Sequence, residues 1–134
     1  MALETALSGW RPHLLSALRI MSGLLILQHG TAKLLKFPVV PNMSNVSLSS
    51  MGGIAGIFEL VGGILLVIGL FTRPAAFILS GMTAVAYFMA HAPKNFYPIL
   101  NGGELAVLYC FVFLYLAAAG GGPWSADAMF RRRG

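Results

Sequence analysis

Charge is what this sequence has least of. Only 10% of its 134 residues are charged, and just four are acidic: Glu4, Glu59, Glu104 and Asp127. An average soluble domain carries about 25% charged residues. A short chain buries only about 60–70% of the surface it exposes when unfolded. With 57% hydrophobic residues, a water-soluble fold is left with too much apolar surface, and lipid is the better solvent. Paired cysteine is also missing. Cys110 stands alone inside an apolar run, which excludes an intrachain disulfide framework and a dithiol exchanger. No H-E-x-x-H, Walker loop or G-x-G-x-x-G occurs, and no metal centre is expected. The net charge of +5 comes from basic residues scattered between apolar runs, apart from Arg131, Arg132 and Arg133. That terminal cluster suits anionic headgroups and not nucleic acid. The polar segment 1–12 and the long first apolar run, interrupted by Arg19, do not read as a cleavable leader.

What the chain does have is long apolar runs. Four of them, at about 13–35, 51–71, 74–92 and 102–119, approach the roughly 20 residues that cross a hydrocarbon core of about 30 Å. The expected fold is therefore all-α: a single domain, 1–134, forming an integral membrane four-helix bundle. The segment 36–50 is the one long loop, and the tight turn around Thr72–Pro74 makes the second and third helices antiparallel neighbours. With both termini cytoplasmic, the inner side holds Arg11, Arg73 and the three terminal arginines, against Lys36 and Lys94 outside. That bias sets the expected orientation. Gly52, Gly56, Gly62 and Gly63 mark a ribbon where another helix can approach closely, within the chain or in a homo-oligomer.

Polar residues inside such helices are costly, about 2.5–3.5 kcal/mol for a central charge, and need partners. Here they are Arg19, Gln28, His29, Lys33, Glu59, His91, Asn101 and Glu104. Six of them, His29, Lys33, Glu59, His91, Asn101 and Glu104, fall in the outer half of the expected bundle, and Arg19 is the outlier. Lys33 matches Glu104 in depth, and Arg19 is expected to reach toward Glu59 or to snorkel to the headgroups. His29, Lys33, Glu59 and Glu104 are the candidate catalytic set. Arg19, His91 and Asn101 are candidate cofactor contacts. Two histidines on different helices also leave a haem open, and paired charges that merely hold a bundle in register are the alternative to a site.

The ordered set of motifs resembles the DoxX family. It comprises Arg19 and Gly23, His29-Gly30-x-x-Lys33, Glu59-Leu60-Val61-Gly62-Gly63, Gly69-Leu70-x-Thr72-Arg73, Asn101-Gly102-Gly103-Glu104, and Gly122-Pro123-Trp124-Ser125-x-Asp127. The resemblance spans about 14–127. It implies a four-helix protein of a bacterial or archaeal plasma membrane, with relatives such as the DoxD-type subunit of thiosulfate:quinone oxidoreductase. Other relatives are linked to oxidative-stress complexes with soluble redox enzymes. The expected function is thus a membrane subunit of a quinone-linked redox system with a redox-active protein partner. A non-enzymatic anchor for such a partner, and a small-molecule permease, are the alternatives.

Overall fold

The computed structural model describes residues 2–41, 43 and 46–133, with the side chains of 132 and 133 left out of the description. The described residues are all-α, without strands. In chain order the helices are α1 (Ala2–Gly9), α2 (Arg11–Leu34), α3 (Met51–Ile68), α4 (Thr72–Ala86), α5 (Pro98–Asn101), α6 (Glu104–Ala119) and α7 (Ala126–Arg133). Beyond α4 the helix runs on through a π turn, Tyr87–His91, and a 3-10 turn, Ala92–Lys94. The short helices α1, α5 and α7 lie in segments whose polar and Gly/Pro-rich sequence did not announce them; α1 buries no side chain at all.

Local chemistry sets the helix ends. Pro12 stands in the first turn of α2, where its missing N–H is not needed. Ser50 caps α3 by accepting from the Gly53 amide at 3.1 Å. Gly69, at φ +75°, ends α3 in the left-handed conformation. The next helix opens less comfortably: Phe71 has φ +50° and offers no side-chain cap, an unusual backbone for a bulky residue. Asp127 of α7 supplies what is missing. Its two carboxylate oxygens accept from the Phe71 and Thr72 amides at 2.9 Å each, while its own amide donates to the Gly69 carbonyl at 2.9 Å.

The long helices pack as antiparallel partners. A Cβ built on Gly23, Gly30 or Gly63 would press on Leu66, on Leu60 or on Leu27, so α2 and α3 pass each other with backbone nearly touching backbone. Their order runs oppositely in the two helices, which fixes the direction. The α4–α6 pair is antiparallel by the same reasoning: Arg73 reaches the Ala118 carbonyl and Ser80 the Cys110 carbonyl, while the Asn101 amide reaches the Tyr87 hydroxyl. Between the pairs lies a core of Ile26, Leu66, Leu79, Phe113 and Leu116. Gly62 faces the other way from Gly63 and receives Leu79 of α4. The glycines of α3 therefore serve two neighbours. Two helical stretches, Met51–Ile68 and Thr72–Lys94, are long and apolar enough to cross a membrane, and α6 is apolar but shorter.

Burial alone would push the Asp127 carboxyl up, but the amides of Thr72 and Phe71 outweigh it and, with Arg131 nearby, hold it below the usual carboxylate range. A carboxyl with a depressed folded pKa stabilises above its unfolded pKa and loses that contribution as pH falls through the folded value. Asp127→Ala is accordingly expected to cost about 1 kcal/mol at neutral pH. Thermal unfolding in detergent should show the gap from wild type closing as pH falls through the carboxylate range. A gap that persists in acid would contradict the capping role.

Candidate functional site

Two ends of the fold treat their polar residues differently. At one end Arg19, 0% exposed, makes no ion pair among the described residues. Its Nε donates to the Leu66 carbonyl at 2.8 Å, its Nη2 to the Trp124 carbonyl at 2.6 Å, and its Nη1 to the Gly121 carbonyl. Ser16 joins in, donating to Gly121 at 3.1 Å and accepting from the Trp124 amide. The guanidinium fork thus satisfies carbonyls at the end of α3 and in the segment after α6, which explains how a buried cation is tolerated. Neither expected fate of Arg19 is seen: its guanidinium is spent on these backbone carbonyls and not on Glu59.

The other end is about 21 Å away along α2, the fourteen residues from Arg19 to Lys33 at 1.5 Å each. There Lys33 of α2 donates to Glu59 Oε1 at 2.8 Å, and both side chains are largely buried. This replaces the expected Lys33–Glu104 pair. The near contact of α2 with α3 puts Glu59 beside Lys33, while Glu104 is exposed on the outer face of α6. Gln28 also turns outward.

A cavity of about 290 Å³ opens beside the ion pair, between the two helix pairs. His29, Lys33, Glu59, His91, Thr83 and Tyr109 all border it. Four helical elements thus contribute, His91 from the π turn that continues α4. Such π turns recur where a helix re-aims side chains at functional sites. His91 Nδ1 sits 3.0 Å from the Asn101 carbonyl, which steadies the ring. His29 stands edge-on to the Tyr109 ring at 6.1 Å. Tyr109 lies flat on Phe113 at 5.3 Å, and its buried hydroxyl has no hydrogen-bond partner among the described residues. An orphaned buried hydroxyl costs about 1–3 kcal/mol; Thr72 Oγ1 and His13 Nδ1, at the Arg19 end, are unpartnered too, but Tyr109 alone of the three borders this cavity. Tyr109 and Thr83 were not singled out from sequence. Tyrosine and threonine carry no charge, and within an apolar run they read as packing.

Asn101 does a different job. Its Oδ1 accepts from the Gly103 amide at 2.8 Å, and its Nδ2 donates to the Tyr87 hydroxyl and the Asn95 carbonyl at 3.1 and 3.0 Å. It braces the turn that opens α6. Of the seven candidates, then, His29, Lys33, Glu59 and His91 share the cavity, while Arg19, Asn101 and Glu104 do not border it. Among the described residues no group of three His, Cys, Asp or Glu side chains converges as a metal site would require.

An all-α chain of apolar helices around a small cavity bordered by an ion pair and two histidines is the class of protein that this geometry defines. The chain belongs to the DoxX family of membrane proteins, whose pattern matches residues 14–92. A protein of Haemophilus influenzae, named only as an uncharacterized protein, is 45% identical over 131 residues, covering 95% of this chain and 98% of that protein. A second Haemophilus influenzae protein with the same printed name is 31% identical over 74 residues, covering 55% of this chain and 49% of that protein. No solved structure matches the chain.

Breaking the Lys33–Glu59 pair from one side leaves a stranded charge in a poorly solvated place. Glu59→Leu alone is expected to destabilise by about 3 kcal/mol, and Lys33→Met with Glu59→Leu together to recover most of that loss. Unfolding midpoints of the single and double variants check this. A double variant as unstable as the sum of the singles would contradict the pairing.

Proposed function

We propose that this chain is the membrane subunit of a quinone-linked redox system, and that the head of a quinone lodges in the cavity beside Lys33 and Glu59. In this reading the chain is a single domain crossing the membrane of a bacterium or archaeon four times, by α2, α3, α4 with its π continuation, and α6. Both termini are cytoplasmic, and the cavity lies toward the opposite side. The observation that carries the reading is the orphaned Tyr109 hydroxyl in a cavity that also holds two histidines and an ion pair.

The residues fit such a head. A pocket of about 290 Å³ is at the small end of ligand sites, which run from about 300 to 1,000 Å³, and suits one ring. Ring carbonyls accept hydrogen bonds, and the Tyr109 hydroxyl and the His29 ring offer donors from neighbouring walls. When bound there, a quinone supplies the electron-accepting chemistry that the amino acids lack, with the electrons delivered by a redox-active partner protein. The chain's own groups handle charge and protons. Lys33 sets a positive charge against negative charge developing on the head. Glu59 and His91 are proton carriers within reach of the same space.

Purified full-length protein in lipid nanodiscs, titrated with a benzoquinone bearing a decyl chain, tests the reading. Saturable binding is expected, weakened about tenfold by Tyr109→Phe, the worth of one buried hydrogen bond. Glu59→Gln should weaken it as well, while Glu104→Gln leaves it unchanged. Absence of saturable binding, or equal affinity in all four proteins, would sink the proposal.

A further inference from the structure

A second concavity adjoins the polar one. It is a groove of about 450 Å³ between the first half of α3 and the far half of α4 with its π turn. Its walls are nearly all apolar, including Phe58, Ile78, Val85 and Met89. It exists because α3 and α4 diverge. Near their connecting turn they are tightly packed, with Leu79 pressed on Gly62. One step farther the contact is lost: a Cβ built on Gly81 meets nothing within 4 Å. The small side chains Gly52, Ala55, Ala86 and Ala90 leave the floor of the widening gap unfilled. In contrast to the α2–α3 and α4–α6 seams, the α3–α4 seam is in contact over only a short stretch.

The groove is continuous with the polar cavity. Lys33, Ala55, Met82, Ala86 and Ala90 line both. Lys33 lies where the two meet, its ammonium turned to Glu59. A ligand lying across this boundary meets an apolar channel open to the outside and, at its inner end, an ion pair, two histidines and an unpartnered hydroxyl. That sequence of surfaces matches one kind of molecule: an amphiphile with a compact, hydrogen-bonding head and a single long apolar tail. A compact, untailed solute has no use for the groove, and a two-tailed lipid would leave one chain outside it.

We propose that the α3–α4 groove is a tail-binding subsite and a lateral entry, through which a single-tailed amphiphile slides sideways out of the bilayer until its head reaches Lys33 and Glu59. This inference rests on the head-binding reading above, and sharpens it by stating which substrates qualify. Gly81 is the specificity-determining position, because a large side chain there fills the groove without touching the polar cavity.

The test compares two probes on purified full-length protein: a benzoquinone with a decyl chain, and the same head with a methyl group instead. Wild type is expected to bind the tailed probe at least about tenfold more tightly, since the tail buries several methylene groups. Gly81→Leu should abolish that advantage while leaving affinity for the methyl probe unchanged, which also reports that the variant is folded. Gly81→Ala should keep most of the advantage, and Val61→Leu, an exposed change on α3 outside the groove, all of it. A photoreactive group at the end of the decyl chain should label the segments 51–58 and 78–90. Equal affinity for the two probes, or a tail advantage that survives Gly81→Leu, overturns the groove while leaving the head site standing. Failure of both probes to bind wild type overturns both.

Discussion

The rest of the structure depends on how closely α2 and α3 approach. A Cβ on Gly30 would lie 2.5 Å from the Leu60 amide nitrogen, and one on Gly63 would lie 2.8 Å from the Leu27 Cα. Such contact is the common means by which apolar helices associate where no hydrophobic effect drives them together. It also positions charge. With the backbones this near, Lys33 needs no long reach to meet Glu59 at 2.8 Å, and Glu59 cannot turn to another partner without leaving Lys33 unpaired. The cavity inherits its rigid wall from this seam.

The two ends of the fold use their polar groups differently. Around Arg19 most polar groups are spent on other parts of the chain, although the buried Thr72 Oγ1 and His13 Nδ1 have no partner among the described residues. The guanidinium takes three carbonyls, Ser16 bonds twice, and Asp127 holds the α3–α4 turn. The hydrogen bonds that are made there tie α2, the end of α3 and the segment after α6 to one another. Around Glu59 the polar groups are left partly unspent, Tyr109 most plainly. The locked end clamps α3 to α4 at their turn, so the divergence of these two helices is confined to the end that carries the cavity.

The sequence made much of this legible, and where it did not the reason is geometric. Apolar runs separated by Gly, Pro and basic residues marked the long helices. Counting residues along each helix placed His29, Lys33, Glu59 and His91 in the same outer half of the expected bundle, because height follows from 1.5 Å per residue. Azimuth did not follow for α6. Its residues are apolar all round, so no face declares itself. At about 100° per residue, Glu104 lies about 140° around from Tyr109, and the buried side of α6 is set by Tyr109, Phe113 and Leu116. Glu104 therefore shares a level with the cavity but not a direction. Arg19 was misjudged for another reason: a buried cation was matched to a carboxylate, whereas backbone carbonyls freed by Gly69, Gly121 and the turn that follows were the nearer acceptors. Those acceptors have no signature in residue type.

The central claim is that the partly unspent polar end of this fold is completed by a lipid-soluble ligand. Mass spectrometry of the small molecules retained through gentle purification tests it most directly, with wild type and the Lys33→Met, Glu59→Leu double variant prepared side by side from the same cells. The expected result is a single-tailed amphiphile with a hydrogen-bonding head, held in near-stoichiometric amount by wild type and lost from the double variant, while bulk phospholipid is unchanged. Identical retained molecules in identical amounts from both preparations would contradict it.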